Sequence, residues 1–131
     1  MRRVLLLLMA LAPLWCGAGP KRKAPRPPDV RVIEVTAHRS QGLINVDGRV
    51  GNCGLRPIPK LTLLLHFRTT DRQVITTQRG TIDPAVLEPG EDAEFRWQLK
   101  DHARAVEFTL EAVDGSGRDL TVEQPGPYPV E

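Results

Sequence analysis

The side chains able to do chemistry are few and far apart. Three histidines, His38, His66 and His102, fall on different stretches of the chain. None has a second His or Cys at the short spacing that a zinc site uses. His66 alternates with apolar neighbours in a strand-like run and should point away from them. All three therefore read as solvated side chains. Ser40 and Ser116 are the only serines, and neither sits in the G-x-S-x-G turn that lifts a nucleophile out of a sheet. Acids gather at Asp83, Glu88, Glu91, Asp92 and Glu94. Calcium would require several oxygens at fixed spacing on one short loop, and no such pattern is present. Glycoside hydrolysis would need two carboxylates facing each other across a cleft, which nothing here indicates. The chain also lacks a phosphate-cradling loop and a dinucleotide fingerprint. The expectation is a protein without catalytic residue, cofactor or resident metal.

Two cysteines remain, Cys16 and Cys53. Cys16 belongs to a segment with the layout of an export signal. Met1-Arg2-Arg3 is a short positive start, Val4 to Leu14 is an apolar run, and Cys16-Gly17-Ala18 supplies small residues for cleavage. The run is too short to cross a bilayer of about 30 Å as a helix. Cleavage after Ala18 would leave Cys16 at −3 and Ala18 at −1. The rival reading is a lipoprotein acylated on Cys16. Leu14-Trp15 before it is a poor lipobox, because Trp15 is bulky. After cleavage Cys53 would be the one thiol. A single exported thiol invites pairing between chains, whereas a buried one behaves as a small apolar residue, which is the reading adopted.

Residues 19–28 carry four prolines and four basic side chains. Proline fixes φ and lacks an N–H, so this segment reads as an extended spacer, with a basic tether for an anionic polymer as the functional alternative. Residues 1–28 hold six basic residues and no acid; the remainder holds 12 basic and 16 acidic residues, net −4. An acidic body argues against a nucleic-acid surface, which needs a basic face on the fold itself.

The body must position whatever contacts the chain makes, and its pattern is that of strands. Side chains of a strand alternate between faces, and Ala93-Glu94-Phe95-Arg96-Trp97-Gln98-Leu99 alternates apolar and polar throughout. Further strands are expected over Val30–Ala37, Ile44–Val50, Leu61–Phe67, Val74–Thr77, Val106–Ala112 and Leu120–Val122. In the first, the apolar set switches face between Val32 and Ile33, which predicts a bulge or a strand crossing between sheets. Leu61, Leu63, Leu65 and Phe67 should face the core, with Leu64 on the other side. Prolines 57 and 59 make 52–59 a connection. Glu88-Pro89-Gly90-Glu91 has the type II turn pattern, with Pro presetting φ and Gly accepting a positive one. Asp114-Gly115-Ser116-Gly117 signals a hairpin. Gln124 to Glu131, with three prolines, reads as a frayed tail. A body of about 100 residues can bury somewhat over 60% of its unfolded surface, enough for one core. Seven strands with turn signals and no helical period predict an all-β, antiparallel, seven-stranded sandwich of the immunoglobulin or fibronectin III kind.

Gly48-Arg49-Val50-Gly51-Asn52, Leu63…Phe67…Asp71, Val74-Ile75 and Leu87-Glu88-Pro89-Gly90-Glu91…Phe95 resemble the FxLYD-type domains, small immunoglobulin-like modules of exported bacterial proteins. The resemblance covers residues 30–123; Phe67-Arg68-Thr69-Thr70-Asp71 departs from the spacing of the naming motif. It implies an extracytoplasmic accessory or interaction domain and brings no catalytic residue with it.

The organisation expected is therefore a signal peptide over 1–18, a basic Pro-rich linker over 19–28, a sandwich over 29–124 and a tail over 125–131. The function expected is an exported, secreted or periplasmic, non-catalytic module of the cell envelope. Its partner would be another envelope protein or polymer, reached through the loops 52–59 and 68–73, through Leu64, or by strand addition at an open sheet edge. No nucleic acid is expected, no membrane contact beyond an N-terminal anchor, and a monomer. The alternative is a lipid-anchored assembly or accessory factor held through Cys16.

Overall fold

The computed structural model describes residues 27–131. The expected signal peptide, Cys16 and the expected linker up to Arg26 lie outside the described residues. The described chain is all β, with no helix. Its strands are β1 (Val30–Ser40), β2 (Leu43–Asn52), β3 (Ile58–Pro59), β4 (Thr62–Arg68), β5 (Val74–Thr81), β6 (Val86–Leu87), β7 (Asp92–Lys100), β8 (Glu107–Val113), β9 (Asp119–Leu120), β10 (Val122–Glu123) and β11 (Tyr128–Pro129). The first sheet has the order β10-β1-β2-β7 and the second β11-β8-β4-β5, with β9 also on β8; β3 and β6 form a separate pair.

Alternation builds the core as the sequence requires. On β4, Leu63, Leu65 and Phe67 are fully buried, as is Leu61 just ahead of it. They meet Ile44, Val46 and Val50 of β2, Ala93 and Phe95 of β7, and Phe108, Leu110 and Ala112 of β8 in one buried cluster. Phe67 and Phe108 stack with centroids 5.3 Å apart. Burial of this apolar surface at roughly 25 cal/mol per Å² is what holds the sheets together. The β1–β2 register slips between Val32 and Glu34, with Ile33 as the extra residue. The bulge lies where the face switch predicts it, and Ile33 is 43% exposed as a result.

Eleven strands replace the expected seven. The six long ones all fall where alternation places them: β1, β2, β5 and β7 run two to four residues longer than expected, and β4 and β8 are shifted by one residue. The others are two-residue pieces flanked by Pro or turns, too short to register as an alternating run. The expected seventh strand splits. Leu120 pairs with Ala112 of β8, while Val122 pairs parallel with Val30 of β1. Thr121 passes between the sheets, its N–H donated to the Asp29 carboxylate at 2.8 Å and its carbonyl accepting from the Asp29 and Val30 amides.

The frayed tail is also corrected. Tyr128 pairs with Phe108 and Pro129 with Glu107. Val130 forms a parallel bridge with Ala37 and is 9% exposed. The Glu131 amide donates to the Ala37 carbonyl at 2.9 Å, and the Arg39 amide donates to the Glu131 carbonyl at 2.8 Å. Proline can enter here because β11 lies at a sheet edge, where a missing N–H breaks no ladder. Residues 120–131 thus cross twice from the second sheet to the first. They cover the outer edges of β8 and β1, while among the described residues no strand covers β5 or β7.

Candidate functional site

The chemistry-bearing side chains stay apart. His38 and His102 are exposed. His66, on the outward face of β4, has Nδ1 2.9 Å from Oγ1 of Thr77, directly opposite on β5, and Nε2 3.0 Å from Oε1 of Glu111, a diagonal neighbour on β8. Among the described residues no three His, Cys, Asp or Glu side chains are grouped to hold a metal ion. Ser116 lies in the hairpin loop, where its hydroxyl donates to Asp114 Oδ1 at 2.8 Å. Asp114 also accepts from the Ser116 and Arg118 amides and from Arg118 Nε. These bonds, the Ser116 hydroxyl foremost, hold its carboxyl below the usual aspartate range.

Cys53 is half-buried and has no disulfide partner among the described residues, with Sγ 3.7 Å from the Pro28 carbonyl. Burial pushes its thiol above the usual range, opposed by the nearby Arg31 charge. A thiol so placed is a poor nucleophile. Leu64 is half-buried between Arg79 and Glu111 of the flanking strands, so it presents less apolar surface than the sequence suggests. The turn 68–73 folds around the buried Thr69, whose hydroxyl accepts from the Asp71 and Gln73 amides.

The loop after β2 is tied down largely by one residue. Asn52 is 2% exposed. Its Nδ2 donates to the Arg56 and Leu87 carbonyls, each at 2.8 Å, and its Oδ1 accepts from the Gly54 amide at 3.0 Å. Its backbone continues the clamp: the Asn52 amide donates to the Glu91 carbonyl and the Gly90 amide to the Asn52 carbonyl. The turn Glu88–Glu91 closes with a bond from the Glu91 amide to the Glu88 carbonyl, and Gly90 takes φ +83° as the type II pattern demands. The two sequence pieces G-x-V-x-N and L-x-P-G-E are thus bonded to each other. The clamp holds 53–57 in one shape, with Leu55 95% exposed beyond it. Nothing in the local sequence distinguishes Leu55 from an ordinary connecting residue, since its exposure follows from the buried amide of Asn52.

The outward face of β2 and β7 carries a ladder of complementary pairs. Arg49 Nη2 lies 2.6 Å from Glu94 Oε2, Arg96 Nε 2.6 Å from Asp47 Oδ1, and Gln98 Nε2 2.9 Å from Asn45 Oδ1. Each rung joins residues directly opposite in the β2–β7 register. A shallow hollow of about 580 Å³ lies over this face, lined by Glu34, Thr36, Asp47, Glu94 and Arg96 and by Val35, Gly48 and Phe95.

No family model and no curated protein matches the sequence. Among solved structures the chain is similar to IrmA from Escherichia coli, with 9% identity, a TM-score of 0.45 and coverage of 76% of this chain and 92% of that one. The ApaA protein from Bordetella pertussis is 18% identical, with a TM-score of 0.41 and coverage of 80% and 90%. The alkylpurine DNA glycosylase AlkC from Pseudomonas fluorescens, bound to DNA containing an abasic site analog, is 10% identical with a TM-score of 0.44; the match covers 81% of this chain and 31% of that one. At these scores the likenesses establish neither a family nor an activity.

Proposed function

We propose that the chain is an exported, non-catalytic interaction or structural module of the bacterial cell envelope, built as an immunoglobulin-like sandwich and directed out of the cytoplasm by residues 1–18. The observation that carries this reading is Leu55. A large apolar side chain stands clear of the surface on a loop that a buried amide and a neighbouring turn hold rigid. Exposed apolar anchors on pre-ordered loops bind at little entropic cost, because nothing has to be frozen on contact. The partner is an envelope protein or polymer, and no nucleic acid takes part, in keeping with the acidic body. The pairing of G-x-V-x-N with L-x-P-G-E supports a domain of the FxLYD type.

The test is a photo-crosslinking side chain placed at position 55 in intact cells, with the same side chain at the exposed Glu34 as control. The expected result is a discrete adduct from position 55 in the envelope fraction and none from position 34. No adduct at 55, or the same adduct from both positions, would remove Leu55 as the contact.

A further inference from the structure

We propose that the open edge of β7 pairs with β7 of a second copy of this chain, antiparallel, about a two-fold axis at Phe95. The edge is available. Among the described residues β7 closes the order of the first sheet with no strand beyond it, whereas the opposite edge, at β1, is covered by β10 and the Val130 bridge. The outward row of β7 reads Asp92, Glu94, Arg96, Gln98, Lys100, acidic first and basic last. A strand with segregated charge complements itself when it runs antiparallel to a copy of itself.

The register follows from the ladder already present. With Phe95 opposite the second copy's Phe95, each Glu94 faces the other copy's Arg96, and the axis makes that contact twice. Faces are preserved, because directly opposite residues of an antiparallel pair point to the same side. On one row the four central strands then carry Arg49, Glu94, Arg96 and Asp47, alternating in sign; the axis gives the reverse row. On the inward face Ala93 falls opposite Trp97, and the half-buried Trp97 gains cover beside a small side chain. The other open edge, β5, bears a single charge, Arg79, and nothing along it selects a register. This assembly goes beyond the monomer expected from sequence and does not depend on the role of Leu55.

The test is sedimentation velocity of the protein as its own cells process it, in reductant so that Cys53 takes no part, over a dilution series at low and high salt. The expected result is a reversible doubling of mass that high salt weakens by screening the pairs. Glu94→Arg and Arg96→Glu each place two like-charge contacts in the interface and should each weaken dimerisation by at least ~tenfold. An equimolar mixture of the two variants should recover the dimer, since position 94 of one then faces position 96 of the other with opposite sign. A variant with a lowered unfolding midpoint is replaced by the neutral pair Glu94→Gln and Arg96→Gln, for which loss of the salt dependence is the expected result. A wild-type chain that stays monomeric, reversals that dimerise like wild type, or a mixture of folded variants that stays monomeric would each overturn the proposal.

Discussion

The indole of Trp97, on β7, fills the space above Gly80, on β5: a Cβ built on Gly80 would stand 2.4 Å from Trp97 Cζ2. The bulkiest side chain of one sheet sits on the absent side chain of the other. Glycine is needed here for space, not for its backbone freedom. Gly80→Ala should therefore destabilise by about 1–3 kcal/mol, since a rigid ring must shift. Trp97→Ala should cost about 2–3 kcal/mol, below the range for fully buried Trp because the ring is half-buried. Combined, the two changes should cost less than their sum. Urea unfolding of the four proteins checks this, and full additivity would disprove the contact. Glu94→Ala, on the outward face, should stay within about 0.5 kcal/mol.

Asn52→Ala removes both donors and the acceptor of a buried amide and leaves the Leu87 carbonyl unpartnered in a dry site. The expected loss is about 3 kcal/mol, with faster proteolysis within 53–57. Loss of stability without loop cleavage would mean that the loop holds its shape by other contacts.

Asp114 sets a pH dependence. Its folded carboxyl titrates below its ordinary value, so its contribution is fully present above the unfolded pKa of about 3.9. That contribution fades as pH falls toward the lowered folded value and is absent beneath it. Wild type should exceed Asp114→Asn in stability at neutral pH, and the gap should close in acid. Urea midpoints across the pH range measure it, and a constant gap would exclude Asp114 as the cause.

Cys53→Ser should leave the unfolding midpoint and the oligomeric state unchanged, and the wild-type thiol should alkylate more slowly than free cysteine at the same pH, because burial raises its pKa. A disulfide dimer on a non-reducing gel would contradict both.

Deleting residues 125–131 should lower the thermal midpoint by several degrees, at about 4–8 °C per kcal/mol for a domain of this size. The deletion uncovers Phe108, whose ring stacks on Tyr128 at 5.7 Å, and reopens the edge of β1 at Ala37–Arg39. An unchanged midpoint would show that the segment merely lies on the surface.

The long strands were legible because their partners are periodic. Leu61, Leu63, Leu65 and Phe67 announce one face, and the Val32–Ile33 switch announces a bulge. The closing strands were not legible, since Pro127-Tyr128-Pro129 carries one amide donor and reads as a loop until an edge is there to receive it. At the site, Cys53 and the histidines were recognised by type, whereas their partners, such as Thr77 and Glu111 around His66, come from other strands. Leu55 and Asn52 were hidden for opposite reasons: one apolar residue left outside, one polar residue taken inside. Both placements arise from bonds between segments 35 positions apart, from Asn52 to Leu87.

The bridge from Val130 to Ala37 also fixes an order of events. The two residues lie 93 positions apart, so the edge of β1 stays bare until nearly all of the described chain has emerged and crossed over. Contacts of such separation form late and slow the search for the native state. During that interval β1 offers an unsatisfied backbone to any passing strand. For the export proposed above this delay would be an advantage, since a fold that cannot shut early remains threadable.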